Sequence, residues 1–413
     1  MSNANFMEKL LDGVEVEWRT LGDVIESLKT GLNPRKNFQL NTSDAKGYYV
    51  TVREIKNGNI TFLDKTDRVN KRALELINNR SNLEAGDILF SGTGTVGRIT
   101  IIETTPENWN IKEGIYVIKP RHKVIDSGYL SHLLNSQYIV KEYSKKIVGS
   151  PVVSLPMKDL KKLKIPIPYP NNPKKSLEIQ TEIVRILDTF TELTAELTAE
   201  LTARKKQYHY YRDQLLSFDE VEVEWKTLGE VAEYSKTRIS FEKLDESNYV
   251  GVDNLLQNRK GKTESVRVPE KGNYTQYCDN DILIGNIRPY LKKIWHADRA
   301  GGTNGDVLVV HRTDRIINAR YLYHVLADEN FFEYNMQHAK GAKMPRGNKA
   351  KIMEYSFPIP KDLAEQDRIV SILDKFDTLT SSISEGLPRE IALRQQQYEY
   401  YRDQLLSFKE GGS

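Results

Sequence analysis

Apolar and polar positions follow two alternating regimes along the chain. In the first, Ile179, Ile183, Ile186, Leu187, Phe190, Leu193, Leu197 and Leu201 recur three or four positions apart, the spacing that lines one face of an α-helix. No Pro or Gly interrupts residues 178–218, so the stripe predicts one helix of about 60 Å. A second stripe runs through Ile369, Ile372, Leu373, Phe376, Leu379 and Ile383, followed by Gly386-Leu387-Pro388, which should break or kink that helix. Stripes of this kind are read as helix–helix seams, and the two should pack on each other as an antiparallel pair. The other regime is rich in Val, Ile, Thr and Tyr, with Gly, Asn and Asp as punctuation. YYVTVREIKNGNITF predicts a hairpin turning at Lys56-Asn57-Gly58-Asn59, and GDILFSGTGTVGRITII predicts two strands joined by a glycine-rich loop. ARYLYHVLADENFFEYN reads as one helix.

The chain is written twice. QTEIVRILDTF (180–190) recurs as QDRIVSILDKF (366–376), QYHYYRDQLLSF (207–218) as QYEYYRDQLLSF (397–408), and VEVEWRTLGDV (14–24) as VEVEWKTLGEV (221–231). Fainter matches keep the order: GDILF with NDILI, GYLSHLL with ARYLYHVL, KIPIP with SFPIP. The repeat is also cyclic, because the opening KLLDGVEVEW resembles the internal QLLSFDEVEVEW, as though the chain began inside a helix end. The reading is an α+β protein with pseudo-two-fold cyclic symmetry. Two α/β domains are separated by two long helices, conserved between the halves and packed as an antiparallel coiled coil. The expected boundaries are 1–177 for the first domain, 178–218 for the first helix, 219–364 for the second domain and 365–413 for the second helix and tail.

Composition narrows the class. Hydrophobic residues make up 39% and charged residues 28%, an ordinary soluble profile, and no run approaches the roughly 20 apolar residues of a membrane span. MSNANFMEKLLDG lacks the basic head and apolar core of a signal peptide, so a cytoplasmic location is expected. Cys278 is the one cysteine, which leaves no internal disulfide, and the seven histidines are not paired at metal-ligand spacing, so no metal site is expected. The net charge of +3 says little about nucleic acid; local basic stripes say more.

Two disjoint variable domains alternating with near-identical helices resemble the specificity subunit of type I restriction-modification systems. The resemblance spans essentially the whole chain. It rests on the paired QxxIVxILD and QYxYYRDQLLSF segments, the PIP before each helix, and the tandem ELTAELTAELTA of residues 192–203, which looks like the spacer helix of the IC class. The resemblance implies that each variable region is a target-recognition domain reading one half of a split double-stranded DNA site. It implies that the helices set the gap and bind two methyltransferase subunits. Restriction and translocation subunits would complete the enzyme, with S-adenosylmethionine, ATP and Mg on those partners and no cofactor or catalytic residue in this chain. A self-contained DNA methyltransferase and a coiled-coil interaction scaffold are the alternatives.

Several motifs invite misreading. Gly92, Gly94 and Gly97 match G-x-G-x-x-G, but strand-like RITII follows where a dinucleotide site needs a helix; a tight inter-strand turn or a loop facing the DNA backbone are the other readings. Gly261-Lys262-Thr263 ends like a P-loop, yet Leu256 stands where its glycine belongs. Asn286-Ile287-Arg288-Pro289-Tyr290 departs from the methyltransferase N/D-P-P-Y/F motif at two positions and reads as a turn before a basic strand.

DNA contact calls for Lys and Arg toward phosphate, and for Arg, Lys, Asn, Gln, Ser or Thr toward bases. In the second domain AKGAKMPRGNKAKIM (339–353) holds Lys340, Lys343, Arg346, Asn348, Lys349 and Lys351 with no acid, and reads as a loop. Its first-domain counterpart carries Lys145, Lys146, Ser150 and Ser154, aligned through Gly149 with Gly341. Arg53, Asn57 and Arg98 are further candidates in the first domain. Asn286, Arg288, Tyr290, Lys292 and Lys293 form a second cluster in the second domain, with Asp253 and Asn254 placed at a strand end beside it.

Overall fold

The computed structural model describes residues 13–34, 37–218, 223–382 and 385–408. The helix end expected before Gly13, Ile383 of the second stripe, and part of the second VEVEW copy lie outside the described residues. The chain forms two compact units, residues 1–194 with 394–413 and residues 195–393.

In unit 1, strands β1 (Val16–Thr20), β2 (Ile25–Thr30), β3 (Gly47–Val50), β4 (Ile55–Lys56), β5 (Asn59–Ile60) and β6 (Arg68–Val69) precede helix α1 (Lys71–Ser81). Then come β7 (Ile88–Ser91), β8 (Ile99–Ile101), β9 (Trp109–Ile111), β10 (Ile115–Pro120), α2 (Ser127–Leu134), α3 (Gln137–Ser144) and β11 (Lys164–Pro168). The main sheet has the order β2-β10-β7-β8. The predicted hairpin is present: β4 pairs antiparallel with β5, and Asn57 and Gly58 both take positive φ (50° and 77°), as a type I′ turn requires.

The long helix α4 (Pro173–Leu215) is continuous over 43 residues and crosses from one unit to the other inside its ELTA repeat. Unit 2 then runs through β12 (Val223–Thr227), β13 (Ala232–Tyr234), β14 (Arg238–Ser240), β15 (Tyr249–Val250), β16 (Asn273–Tyr277), β17 (Ile282–Gly285), β18 (Ile294–His296), β19 (Gly301–Thr303) and β20 (Val307–Arg312). It ends with α5 (Ala319–Leu326), α6 (Glu329–Gln337), α7 (Lys349–Met353), β21 (Ser356–Pro360), α8 (Leu363–Ser381) and α9 (Gly386–Leu406). Its main sheet, β13-β20-β17-β18, repeats the order of unit 1. The strand pair before each long helix keeps one register, with Trp18 opposite Pro166 and Trp225 opposite Pro358.

One expectation changes and another holds. The segment expected as one helix is two, α5 and α6, because Asp328 caps the second by accepting from the Asn330 amide (3.0 Å), a side-chain cap of the kind that starts helices without any glycine or proline. The expected break near Gly386 is present. Pro388 falls in the first turn of α9, where its missing N–H costs no helical bond.

The repeated sequence motifs have packing duties. Gln180 is fully buried at the start of α4; its amide accepts from the Asp126 N–H (2.8 Å) and donates to the Val124 carbonyl (3.1 Å). Gln366 does the same in unit 2 with the Asn318 N–H (2.7 Å) and the Ile316 carbonyl (2.9 Å). Ile183 and Leu187 enter the core of unit 1 together with Leu405 and Leu406 from α9. Ile369 and Leu373 enter that of unit 2 together with Tyr208 from α4. Aromatic rings join the helix segments within each unit: Phe190 stacks on Tyr401 (5.1 Å) and Tyr208 on Phe376 (5.6 Å). Each unit therefore takes one copy of each motif, drawn from different halves of the chain.

Candidate nucleic-acid interface

Each main sheet ends in a hairpin whose loop is braced by a second loop, and the braces are the same in both units. In unit 1 the β7–β8 loop carries Gly92 to Arg98. Its Gly94 N–H donates to the Val153 carbonyl (2.8 Å), and the Leu155 N–H donates to the Gly92 carbonyl (2.8 Å). The bracing loop closes on itself through paired bonds between Val148 and Ser154 (2.9 and 2.7 Å). In unit 2 the β17–β18 loop carries Asn286 to Lys293. Its Arg288 N–H donates to the Pro345 carbonyl (2.7 Å), the Gly347 N–H donates to the Asn286 carbonyl (3.1 Å), and Lys340 and Arg346 exchange paired bonds (2.9 and 2.8 Å). Gly149 and Gly341 hold matching positions with φ +102° and +100°, a conformation that glycine adopts at no steric cost.

The backbone frame is shared and the side chains are not. At the exposed tips, unit 1 presents Gly94, Thr95, Val148, Gly149, Ser150 and Val152. Unit 2 presents Arg288, Tyr290, Lys340, Lys343, Met344 and Arg346. Arg288, Lys340 and Lys343 have no ion-pair partner among the described residues, and Arg346 has only a long contact of 3.4 Å to Asp306. Such a surface offers guanidinium, ammonium and hydroxyl donors. Lys349 is exposed at the first turn of α7, and Lys146 is half-buried at the foot of the unit 1 brace.

Other candidates have structural work instead. Asn254 is buried; its carbonyl oxygen accepts from the Gly251 N–H (2.6 Å) and its amide donates to the Tyr249 and Thr263 carbonyls (3.2 and 2.9 Å). It staples the turn after β15 and has no amide left for a base. The Ser154 hydroxyl meets the Thr93 hydroxyl (3.1 Å) and donates to the Gly92 carbonyl (3.2 Å), fastening one loop to the other. Asn286 is buried under the loop. Asn348 caps α7 by accepting from the Ala350 and Lys351 amides (3.2 and 3.4 Å), so the basic run expected as a loop ends in a short helix that carries Lys349 and Lys351. Arg98 donates to the Val52 and Ile55 carbonyls (2.8 and 3.2 Å), tying the β4–β5 hairpin to the glycine loop. Arg53 reaches Asp67 (3.3 Å), Lys145 pairs with Glu142 (2.6 Å), Lys292 pairs with Glu329, and Lys293 donates to the Val252 carbonyl (2.5 Å). Asp253 is exposed after β15, and Asn57 is exposed at its turn.

The motifs resolve the same way. The glycine loop opens into β8, a strand with no helix N-terminus for a pyrophosphate. The Lys262 ammonium donates to the Ser247 carbonyl (2.9 Å), so the P-loop likeness ends in a turn.

One cluster has side chains of metal-ligand type, His324 with Asp374 and Asp377. Its charges are already met. His324 donates from Nε2 to Asp374 (2.7 Å), which also accepts from Arg320 Nε (2.8 Å), and Tyr208 donates its hydroxyl to Asp377 (2.7 Å). Burial pushes the His324 ring below its ordinary range despite Asp374, so the ring is neutral at pH 7 and the cluster reads as a helix-docking network. The same network in unit 1 is simpler: His132 donates from Nε2 to Asp188 (2.9 Å) and accepts from the Tyr398 hydroxyl at Nδ1 (2.9 Å).

Comparison with known proteins agrees with this architecture. The family model for the type I restriction modification DNA specificity domain matches twice, over residues 13–204 and 220–393. The chain is 34% identical to the Escherichia coli EcoR124I/EcoR124II specificity subunit, over 99% of this chain and 98% of that one. It is 35% identical to the E. coli EcoprrI specificity subunit, over 93% of each. The fold resembles the crystal structure of a type I restriction-modification S subunit from M. genitalium, with a TM-score of 0.58 over 96% of this chain and 98% of that one at 16% identity. Two matched units, each built on the same braced pair of loops, make this chain a member of the type I restriction-modification DNA specificity family.

Proposed function

We propose that this chain is the DNA-recognition subunit of a type I restriction-modification enzyme and that each unit reads one half of a bipartite site through its braced loops. The observation that carries the reading is one backbone frame, repeated bond for bond, bearing different side chains. A shared frame sets the loops against DNA in one way, and divergent tips read different sequence. In unit 2 the contacts fall to Arg288, Tyr290, Lys340, Lys343, Arg346 and Lys349. In unit 1 they fall to Lys146, Ser150 and the glycine loop, whose small residues allow close approach to phosphate.

The helices supply docking. Tyr210 and Tyr400 hold the same place in the two helix repeats and are 59% and 62% exposed. Two copies of one exposed aromatic patch suit two copies of one partner, which we assign to the methyltransferase subunits. Methyl transfer, cleavage and translocation, with S-adenosylmethionine, ATP and Mg, belong to the partner chains in this reading, and the chain itself contributes recognition in the cytoplasm.

Arg346→Ala tests it. In the assembled enzyme, sequencing of methylated sites should show one half-site relaxed at one position, with a loss of about 1 to 3 kcal/mol in discrimination. A uniform loss over all sequences with a shallower salt dependence would instead make Arg346 a phosphate contact. An unchanged site and affinity would remove the loop from the interface.

A further inference from the structure

Beneath the unit 2 loop lies a polar floor that no DNA contact explains. Asn335 on α6 is 1% exposed, and neither its amide nitrogen nor its carbonyl oxygen has a hydrogen-bond partner among the described residues. The carbonyl oxygen of the buried Asn286 is likewise without one. Both face Gly347: a Cβ there would stand 2.4 Å from Asn335 Oδ1 and 2.8 Å from Asn286 Oδ1. Gly347 is the residue after Arg346, and Asn286 begins the loop that carries Arg288, so the two carboxamides lie directly under the basic tips.

The counterpart in unit 1 holds larger side chains and no carboxamide. Tyr143 holds the place of Asn335 in α3 and packs its ring on Phe90 (5.6 Å), and its hydroxyl lies under Gly97, 2.4 Å from where a Cβ would be. Leu155 holds the place of Gly347 and is fully buried. Side chains of the floor therefore differ between units as the tips do, while the frame between them is constant. A buried carboxamide without partners is unfavourable for stability, and an apolar side chain of similar shape would be neutral or better. A residue that costs stability at a recognition site is the pattern of a functional demand.

We propose that Asn335 is a specificity-determining positioning residue for the second half-site, setting with Asn286 and Gly347 the height at which Arg288 and Arg346 meet DNA. This rests on the loop being the DNA contact.

The test uses the chain assembled with its methyltransferase subunits. Asn335→Leu should leave the first half-site intact and lower discrimination at the second by roughly tenfold. At the same time amide hydrogen exchange in residues 338–348 should slow, because the buried polar atoms without partners are replaced by an apolar contact. Slower exchange joined to looser reading is a combination that a purely structural role does not produce. Asn335→Ser, smaller and still polar, should loosen the same half-site and serves if the leucine variant does not assemble. The proposal falls if Arg346→Ala relaxes the second half-site while both Asn335 variants leave it unchanged, or if both half-sites weaken together with faster exchange. If Arg346→Ala itself leaves the second half-site unchanged, the DNA reading of the loop has failed, and the floor's role fails with it.

Discussion

Asp328→Ala should destabilise unit 2 by about 3 to 5 kcal/mol, the usual cost of leaving a buried charge without its partner. Arg212 is 2% exposed. Its Nε donates to Asp328 (2.8 Å), one terminal nitrogen donates to the Tyr208 hydroxyl (2.8 Å) and the other to the His324 carbonyl. Asp328 also starts α6, so its removal frees a helix end as well as an ion. In unit 1 the matching position is Ser136, which caps α3 by accepting from the Ile139 N–H (3.4 Å) but carries no charge. The matching arginine, Arg402, turns to Asp403 (3.1 Å), which is 34% exposed. Asp403 also accepts from the Gln137 N–H at the start of α3 (3.1 Å), so Asp403→Ala should cost about 1 to 2 kcal/mol, less than Asp328→Ala. Hydrogen exchange resolved by peptide separates the units: Asp328→Ala should speed exchange in residues 319–337 and spare residues 127–144. Equal protection in both variants would show that the buried pair contributes nothing net.

Deleting Thr194 to Leu197 should abolish methylation of the original site and create a new one, with both half-sites kept and the gap shortened by one base pair. The deletion removes about 6 Å of helix and a rotation of about 400°, or 40° beyond a full turn. One base pair turns a duplex by about 35°. The rotations nearly agree, whereas the rises differ. The threonines of the first and third ELTA units bond alike, each to the carbonyl four residues before it: Thr194 donates to the Phe190 carbonyl (2.8 Å) and Thr202 to the Thr198 carbonyl (2.9 Å). Leu193, Leu197 and Leu201 form a half-buried stripe, and the deletion removes Leu197 while leaving Leu193 and Leu201 four positions apart. Methylated-site sequencing reads the gap directly, and a gap of the original length would refute the spacer role.

The repeat was legible because its letters are packing partners. Gln180 and Gln366, Asp188 and Asp374, and Arg212 and Arg402 recur since each makes contacts that a substitution would leave open. The hairpin at Asn57-Gly58 was legible because only a few residues accept positive φ. Of the residues expected at DNA, exposed cations were the legible ones: Lys340, Lys343 and Arg346 of the basic run and Arg288 of the second cluster all stand exposed. Amides and hydroxyls were harder. Asn254, Asn286, Asn348 and Ser154 are chemically fit for bases, yet each is buried or engaged with backbone, Asn254 and Asn348 by hydrogen bonds to groups two to nine residues away. Composition cannot distinguish an Asn that staples a turn from one that reads adenine. Asn335 gave no signal, sitting in an otherwise apolar helix face. The repeat aligns it with Tyr143, and nothing in the sequence alone places either residue beneath a loop.

The closing of unit 1 by Tyr398, Leu405 and Leu406 has a consequence during synthesis. The first half of the polypeptide leaves the ribosome with Leu187, Leu133 and their neighbours uncovered, and it waits while the whole second half is translated. Only when the last turn of α9 emerges can that core be sealed. Unit 2, whose parts are contiguous from 195 to 393, can finish first, so the chain matures in the reverse of the order in which it is made.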